Sequence, residues 1–192
     1  MKTQHALARA LKEIMSTKAL DDISVVDISN YCGVSRKTFY YHYHDIYDLL
    51  TQVFLDEKVP GSQYAQSYND LVNVLWDYYK NNEPFINATL ASAGRDLFFE
   101  FVYNNFYTLG IKLVAKLDEE KKIAVHARKS IARFYASAYA NSLVYYLASY
   151  KNKNINGLRN CFNFIDDNEL EKSVQNASKI KENAQINVNK EV

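Results

Sequence analysis

The stretch Ser24–Tyr47, SVVDISNYCGVSRKTFYYHYHDIY, constrains this chain more than any other. Its pattern predicts a helix, a tight turn and a second helix, with Gly33 at the hinge. Ser24 is a favourable N-cap, and Asp27 three residues on can reciprocate as in a capping box. Val25, Ile28 and Cys32 fall at helical spacing on one face. Ser29 and Cys32 are small, where a second helix has to cross closely. Glycine at 33 enters the left-handed region without steric cost, so the first helix ends there. Val34 is placed under the turn, and Ser35 caps the second helix. On that helix Phe39 and Tyr43, four apart, point inward and leave Arg36, Lys37, Thr38, Tyr40, Tyr41 and His42 outside. A short helix with an apolar back and a front of cations, hydroxyls and imidazole suits the major groove of DNA. Ser35, Arg36, Lys37, Thr38, Tyr40, Tyr41 and His42 are therefore the candidate DNA-contacting residues. Arg36 and Lys37 are placed to reach bases or phosphates. Tyr40, with the Ser35 and Thr38 hydroxyls, suits the backbone, which fixes register without reading sequence.

Residues 24–50 resemble the DNA-binding signature of the tetracycline-repressor (TetR/AcrR) family of bacterial transcription regulators. The matching residues are Ser24, Ile28, Gly33-Val34-Ser35, Thr38-Phe39-Tyr40, Tyr43 and Leu49. Ser29 stands where the family favours alanine, and Tyr43 where it favours phenylalanine. Ile46 is a sharper departure, because it takes the slot of a lysine that contacts phosphate. The resemblance implies an all-α fold, in which a three-helix helix-turn-helix domain precedes a helical ligand-binding and dimerisation domain. It also implies a homodimer on a double-stranded DNA operator, joined by a four-helix bundle of the last two long helices, and control by a small-molecule or protein effector. The first helix would pack over the helix-turn-helix, bringing Lys2 and Thr3 toward phosphates. A looser resemblance, carried by Asn82-x-x-Phe85 and the length of the second domain, is to a subgroup that includes regulators of dihydroxyacetone kinase operons.

Charge alone does not announce a nucleic-acid partner. The chain is +1 overall, and residues 1–59 carry seven cations against eight anions. The expected positive surface therefore depends on placement. Cations lie in the first helix and at Arg36-Lys37, while Asp45, Asp48, Asp56 and Glu57 follow on the next helix. A hydrophobic content of 48% with 23% charged residues fits a globular chain. No apolar run is long enough to span a bilayer, and MKTQHALARALKEIM reads as an amphipathic helix rather than a signal peptide. Cys32 and Cys161 form no disulfide framework. A cytoplasmic setting with no membrane partner is the expectation.

In order along the chain, residues 3–18 form the first helix, with Ala6, Leu7, Ala10, Leu11, Ile14 and Met15 on its apolar stripe. Asp45 caps a fourth helix running to about Lys58, with Leu49, Leu50, Val53 and Phe54 inward. Val59-Pro60-Gly61-Ser62 is the clearest break. It divides a DNA-binding domain, 1–59, from an effector-binding and dimerisation domain, 60–167. Helices are predicted over 68–79, after Pro84, over 95–116 and over 123–150, with a last apolar helix holding Leu158, Phe162 and Ile165. Residues 168–192 are polar and read as a frayed helix or mobile tail.

The 123–150 segment alternates small residues (Ala132, Ala136, Ala138, Ala140, Ser142) with large ones (Phe134, Tyr135, Tyr139, Leu143, Tyr146). Such a helix needs partners on more than one side. Those partners are either the core of a single monomer or a second copy, and the resemblance favours pairing across a two-fold axis together with the helix around 158–165. Trp76, Tyr79, Phe98, Phe101, Tyr135 and Tyr139 are candidates to line an effector pocket, with tyrosine hydroxyls as polar handles. Core packing is the competing reading of the same aromatics. His42 and His44 are two apart and do not share a helix face. No phosphate loop, GxSxG, HExxH or zinc spacing occurs, so neither an enzyme nor a metal or cofactor site is expected. The alternative to a DNA-binding regulator is a helical protein-interaction module without specific DNA binding.

Overall fold

The computed structural model describes residues 2–120, 122–165 and 168–188, with side chains to 179. Ten α-helices are formed among them and no strand: α1 Lys2–Met15, α2 Val25–Cys32, α3 Arg36–His42, α4 Ile46–Asp56, α5 Tyr68–Asn81, α6 Glu83–Leu90, α7 Arg95–Leu117, α8 Val125–Ser149, α9 Ile155–Asn160 and α10 Glu169–Val188. A 3-10 turn, Leu20–Asp22, joins α1 to α2. The fold class is the all-α one expected from the sequence.

Local chemistry sets the helix starts. Ser24, Ser35, Asp45, Ser67 and Asn154 each cap a helix by accepting a hydrogen bond from the backbone N–H three residues on. Pro84 sits in the first turn of α6, where a missing N–H costs nothing. The amphipathic stripe of α1 buries Leu7, Ala10, Leu11 and Met15, and α1 packs on α2, α4 and α6. Leu49, Leu50, Val53 and Phe54 of α4 are buried as their spacing requires.

The second half is built on α7 and α8, which form the most extensive helix pair. They run antiparallel, with Phe106 beside Tyr139 and Gly110 beside Ala132. Gly110 is what lets Tyr68 of α5 reach into this pair. A Cβ there would collide with the Tyr68 hydroxyl and stand 3.3 Å from Ala132 Cβ. Gly110→Ala is therefore expected to cost about 1–3 kcal/mol in urea unfolding. The Tyr68 hydroxyl is buried without a hydrogen-bond partner among the described residues, so Tyr68→Phe should be near neutral alone and should relieve the alanine variant. Equal losses in the single and double variants would show that the contact is not the cause.

Two elements differ from expectation. The segment around 158–165 is not a helix of that extent, since α9 covers Ile155–Asn160 and turns follow it. It is too short to share a four-helix bundle. The polar stretch from 168, expected as a frayed helix or mobile tail, contains α10, which packs on both α7 and α8. Leu170 and Val174, one turn apart, are buried, and Ser173 meets the Tyr135 hydroxyl at 3.0 Å. Residues 189–192 of that stretch lie outside the described residues.

Candidate nucleic-acid interface

The helix-turn-helix is held by side chain–backbone bonds at its helix starts and by backbone bonds at its turn. The Ser24 hydroxyl accepts from Asp27 N–H at 3.2 Å, while the Asp27 carboxylate accepts from Ser24 N–H at 2.7 Å. Lys18 Nζ adds a third contact to Asp27 at 3.1 Å. The Ser24 backbone N–H is the main reason the Asp27 pKa falls to about 2. Because the folded value is depressed, the cap's contribution is complete above the ordinary aspartate range, about 4, and is lost as pH falls through about 2.

Gly33 sits at φ 65°, and its N–H bonds the Asn30 carbonyl at 3.2 Å. Val34 N–H closes the turn on the Ser29 carbonyl at 2.9 Å. Ser35 then caps α3 through Thr38 N–H at 3.1 Å, and the two hydroxyls lie 2.9 Å apart. Phe39 and Tyr43 are buried, as their four-residue spacing requires.

All seven candidate DNA contacts lie on α3 or its cap, where the geometry is uneven. Ser35, Arg36 and Lys37 are exposed, Tyr40 and Tyr41 are 59% and 83% exposed, and Thr38 and His42 are half-buried. The Tyr41 and His42 rings meet edge to face at 5.0 Å, which holds both at the C-terminal end of α3. Neither Arg36 nor Lys37 has a carboxylate partner among the described residues.

The nearby acids, by contrast, are engaged. Asp45 caps α4 through Asp48 N–H at 2.8 Å, Asp48 accepts from His44 N–H at 2.9 Å, and Asp21 accepts from the Tyr47 hydroxyl at 2.7 Å. The Asp48 N–H, followed by His44, lowers the Asp45 pKa. These acids brace the α3–α4 corner, which explains their presence beside a cationic helix. Ile46, in the first turn of α4, is half-buried and packs on the core with Tyr47. Lys2 is exposed and Thr3 half-buried at the start of α1. Sequence reasoning passed over Tyr31, which is exposed on the last turn of α2. A tyrosine at helical spacing gives no sign of which side it will face.

The six aromatics proposed for an effector pocket are not brought together. Trp76 is half-buried against Tyr79 at 5.4 Å. Tyr79 is fully buried and donates toward Glu83 and Asn87 at 3.2 and 3.3 Å. Phe98 and Phe101 pack on Phe54 at 5.9 and 5.3 Å. Tyr135 and Tyr139 flank Tyr68 at 5.9 and 4.7 Å, and Phe162 stacks on Tyr139 at 4.7 Å. These are three separate packing clusters, because the residues lie on different faces of α5, α7 and α8. A cavity between α4 and α7 is lined by Phe101 alone of the six. A second, where α5 begins and α10 crosses, is lined by Tyr135 and Tyr139.

A capped helix-turn-helix with an unpaired cationic front, placed ahead of a larger helical bundle, defines a DNA-binding transcription regulator. Comparison with known proteins agrees. Residues 66–156 match the family model TetR_C_8, described as a transcriptional regulator C-terminal region. The HTH-type dhaKLM operon transcriptional activator DhaS of Lactococcus lactis subsp. lactis (strain IL1403) is 28% identical over 145 residues, covering 71% of this chain and 74% of that protein. A solved structure of a dihydroxyacetone kinase operon activator DhaS aligns with a TM-score of 0.55 and 22% identity, covering 97% of each chain. Residues 66–156 thus match a TetR-type C-terminal region, and most of the chain is similar to DhaS. Among the described residues, no helix is long and apolar enough to cross a membrane.

Proposed function

We propose that the chain works in the cytoplasm as a homodimer that lays α3 of each protomer into the major groove of a double-stranded operator, under the control of an effector. Ser35, Arg36, Lys37, Thr38, Tyr40, Tyr41 and His42 carry the DNA contact, residues 1–59 forming the reading head and 60–167 the controlling and dimerising part. The observation that carries this reading is the exposure of Arg36, Lys37, Tyr40 and Tyr41 on one short helix, with neither cation paired to a carboxylate among the described residues while Asp21, Asp45 and Asp48 are engaged. Thr38 and Ser35 meet each other at 2.9 Å, so they serve first as the cap and approach the DNA backbone only along its rim.

Dimerisation is supported by the outer face of α8 together with α7, rather than by the short α9. Exposed Phe134 and Tyr145 stand on α8. Beside them on α7, Phe99, Tyr103 and Tyr107 stack in a half-buried ladder with ring spacings of 6.2 and 5.8 Å.

A mobility-shift titration on DNA upstream of the protein's own gene, run at two salt concentrations, tests the reading. Lys37→Ala should weaken specific binding by roughly 1–3 kcal/mol if Lys37 reads a base. Tyr40→Phe should weaken operator and random DNA alike, with unchanged circular dichroism in both variants. Unaltered operator affinity in both would favour the protein-interaction module.

A further inference from the structure

A cavity of about 440 Å3 opens where α9 lies on the first half of α5. Its volume falls within the range of small-molecule sites, about 300–1,000 Å3. Asn69, Val72 and Asn73 form the α5 wall, three and four residues apart and so on one helix face. Arg159, in the last turn of α9, and Phe162, just beyond it, form the facing wall, with Asn163 next to them. Among the described residues that line it there is one cation and no acid. Val72 and Phe162 are themselves buried, so the groups left open to a ligand are mainly polar.

Arg159 is aimed without being neutralised. Its Nε–H donates to the Asn73 side-chain oxygen at 3.0 Å, across 86 positions of sequence. That partner is a neutral amide, and no carboxylate among the described residues lies within ion-pair distance of the guanidinium. Asp70, beside Asn69, is occupied at the start of α5, where it accepts from Gln66 N–H at 2.9 Å. With Nε engaged, the terminal nitrogens of Arg159 still present their N–H donors as a planar fork. Such a fork takes two oxygens of a carboxylate or phosphate at once. The two amides are complementary in what they leave over. Asn73 spends its oxygen on Arg159 and keeps its NH2, while Asn163 spends its NH2 on Asn160 at 2.9 Å and keeps its oxygen. A donor and an acceptor beside the cation are what a hydroxyl group uses, since it both donates and accepts. The wall behind is fixed: Phe162 stacks on Tyr139 of α8 at 4.7 Å, and Asn154 caps α9 through Gly157 N–H at 2.8 Å. A guanidinium already oriented loses less freedom when an anion arrives.

We propose that the cavity between α5 and α9 binds a small hydroxylated oxyanion, a carboxylate or a phosphate monoester, with its charged end in the Arg159 fork and a hydroxyl between Asn73 and Asn163. A neutral molecule of the same size would leave the fork to water, and a bare inorganic anion would leave the two amides to water. The assignment concerns binding alone and does not rest on the reading of the chain as an operator-binding regulator.

Isothermal titration calorimetry on the full chain, at fixed ionic strength, tests the site with glycerol 1-phosphate and glycerate. These probes carry similar hydroxylated bodies on two different oxyanions. At least one should bind saturably, one per chain, and more tightly than either inorganic phosphate or glycerol. Binding of the first alone assigns a phosphate ligand, of the second alone a carboxylate, and equal binding an oxyanion of either kind. Arg159→Gln, at an exposed position, should weaken binding by about tenfold or more with unchanged circular dichroism. Arg159→Lys keeps the charge without the fork and should fall between wild type and Arg159→Gln. Asn73→Ala removes the group that aims the guanidinium and should weaken binding severalfold. Arg133→Gln, which removes an exposed cation of α8, should leave the affinity unchanged. No saturable heat from either organic anion, or wild-type affinity in Arg159→Gln, overturns the site. Should Arg159→Gln fold poorly, wild-type affinity in both Arg159→Lys and Asn73→Ala is the overturning result. An equal loss in Arg133→Gln would show general attraction to cations and overturn it too. Inorganic phosphate binding as tightly as the organic anions overturns the hydroxylated ligand class.

Discussion

Ala138→Arg is expected to leave the protein monomeric at micromolar concentration and to abolish tight operator binding while the helical circular dichroism persists. Ala138 is exposed on the outer face of α8, one turn beyond Phe134, which is 70% exposed, and two turns before Tyr145, which is 61% exposed. Large apolar groups standing free around small ones are the texture of an interface, where knobs of one copy fill holes of the other. In a two-fold contact a residue near the axis faces its own counterpart. One substitution therefore sets two guanidinium groups against each other without a carboxylate, and leaving a buried charge uncompensated costs about 3–5 kcal/mol. Operator binding falls with the dimer, because linking two half-site readers supplies avidity that neither has alone. Light scattering reads the mass and a mobility shift reads the DNA. Asn163→Arg, exposed in the turns after α9, is the comparison, since the sequence pointed to that segment as the partner of α8. Dimers that survive Ala138→Arg and break with Asn163→Arg would return the interface to that segment. A wild type already monomeric at micromolar concentration would remove it from both.

The helix-turn-helix was legible residue by residue because its determinants are local. Ser24 with Asp27, Gly33 at φ 65° and the Phe39–Tyr43 pair each act within four positions, and a local rule needs no knowledge of the rest of the fold. Packing between distant helices is different. Phe98, Phe101, Tyr135 and Tyr139 have the spacing of a core and of a pocket wall alike, and inter-helix distances decide which they become. The cavity beside α4 was hidden for the opposite reason: Asn104 and Thr108 look like an ordinary solvated face of α7 until α4 is laid alongside. The packing of α10 on α7 and α8 was missed because its composition is polar, and Leu170 and Val174, one turn apart, give too thin a stripe to stand out. Ile46 lies between these cases, for its identity flagged a lost phosphate contact while its half-buried packing became visible only in the fold.

That position supports the last prediction. Ile46→Lys is expected to steepen the dependence of log K on log salt by about 0.9 per subunit, roughly 1.8 for a dimer. Between 50 and 200 mM salt the variant should then lose roughly twelvefold more affinity than wild type. Binding should tighten on operator and random DNA alike, because phosphates carry no sequence information. The fold can accept the change at a modest cost. Ile46 is only half-buried, so the lysine stem can keep the packing of its inner carbons while the ammonium reaches water. A cation in the first turn of α4 opposes the helix dipole by about 0.3–1 kcal/mol. The Asp45 and Asp48 carboxylates cannot simply rotate to neutralise it, because they hold the Asp48 and His44 backbone N–H groups at 2.8 and 2.9 Å. A small drop in melting temperature together with a steeper salt slope is the expected pair of results. A large drop with an unchanged slope would show that Ile46 serves the core alone and that this corner of α4 stands away from the phosphates.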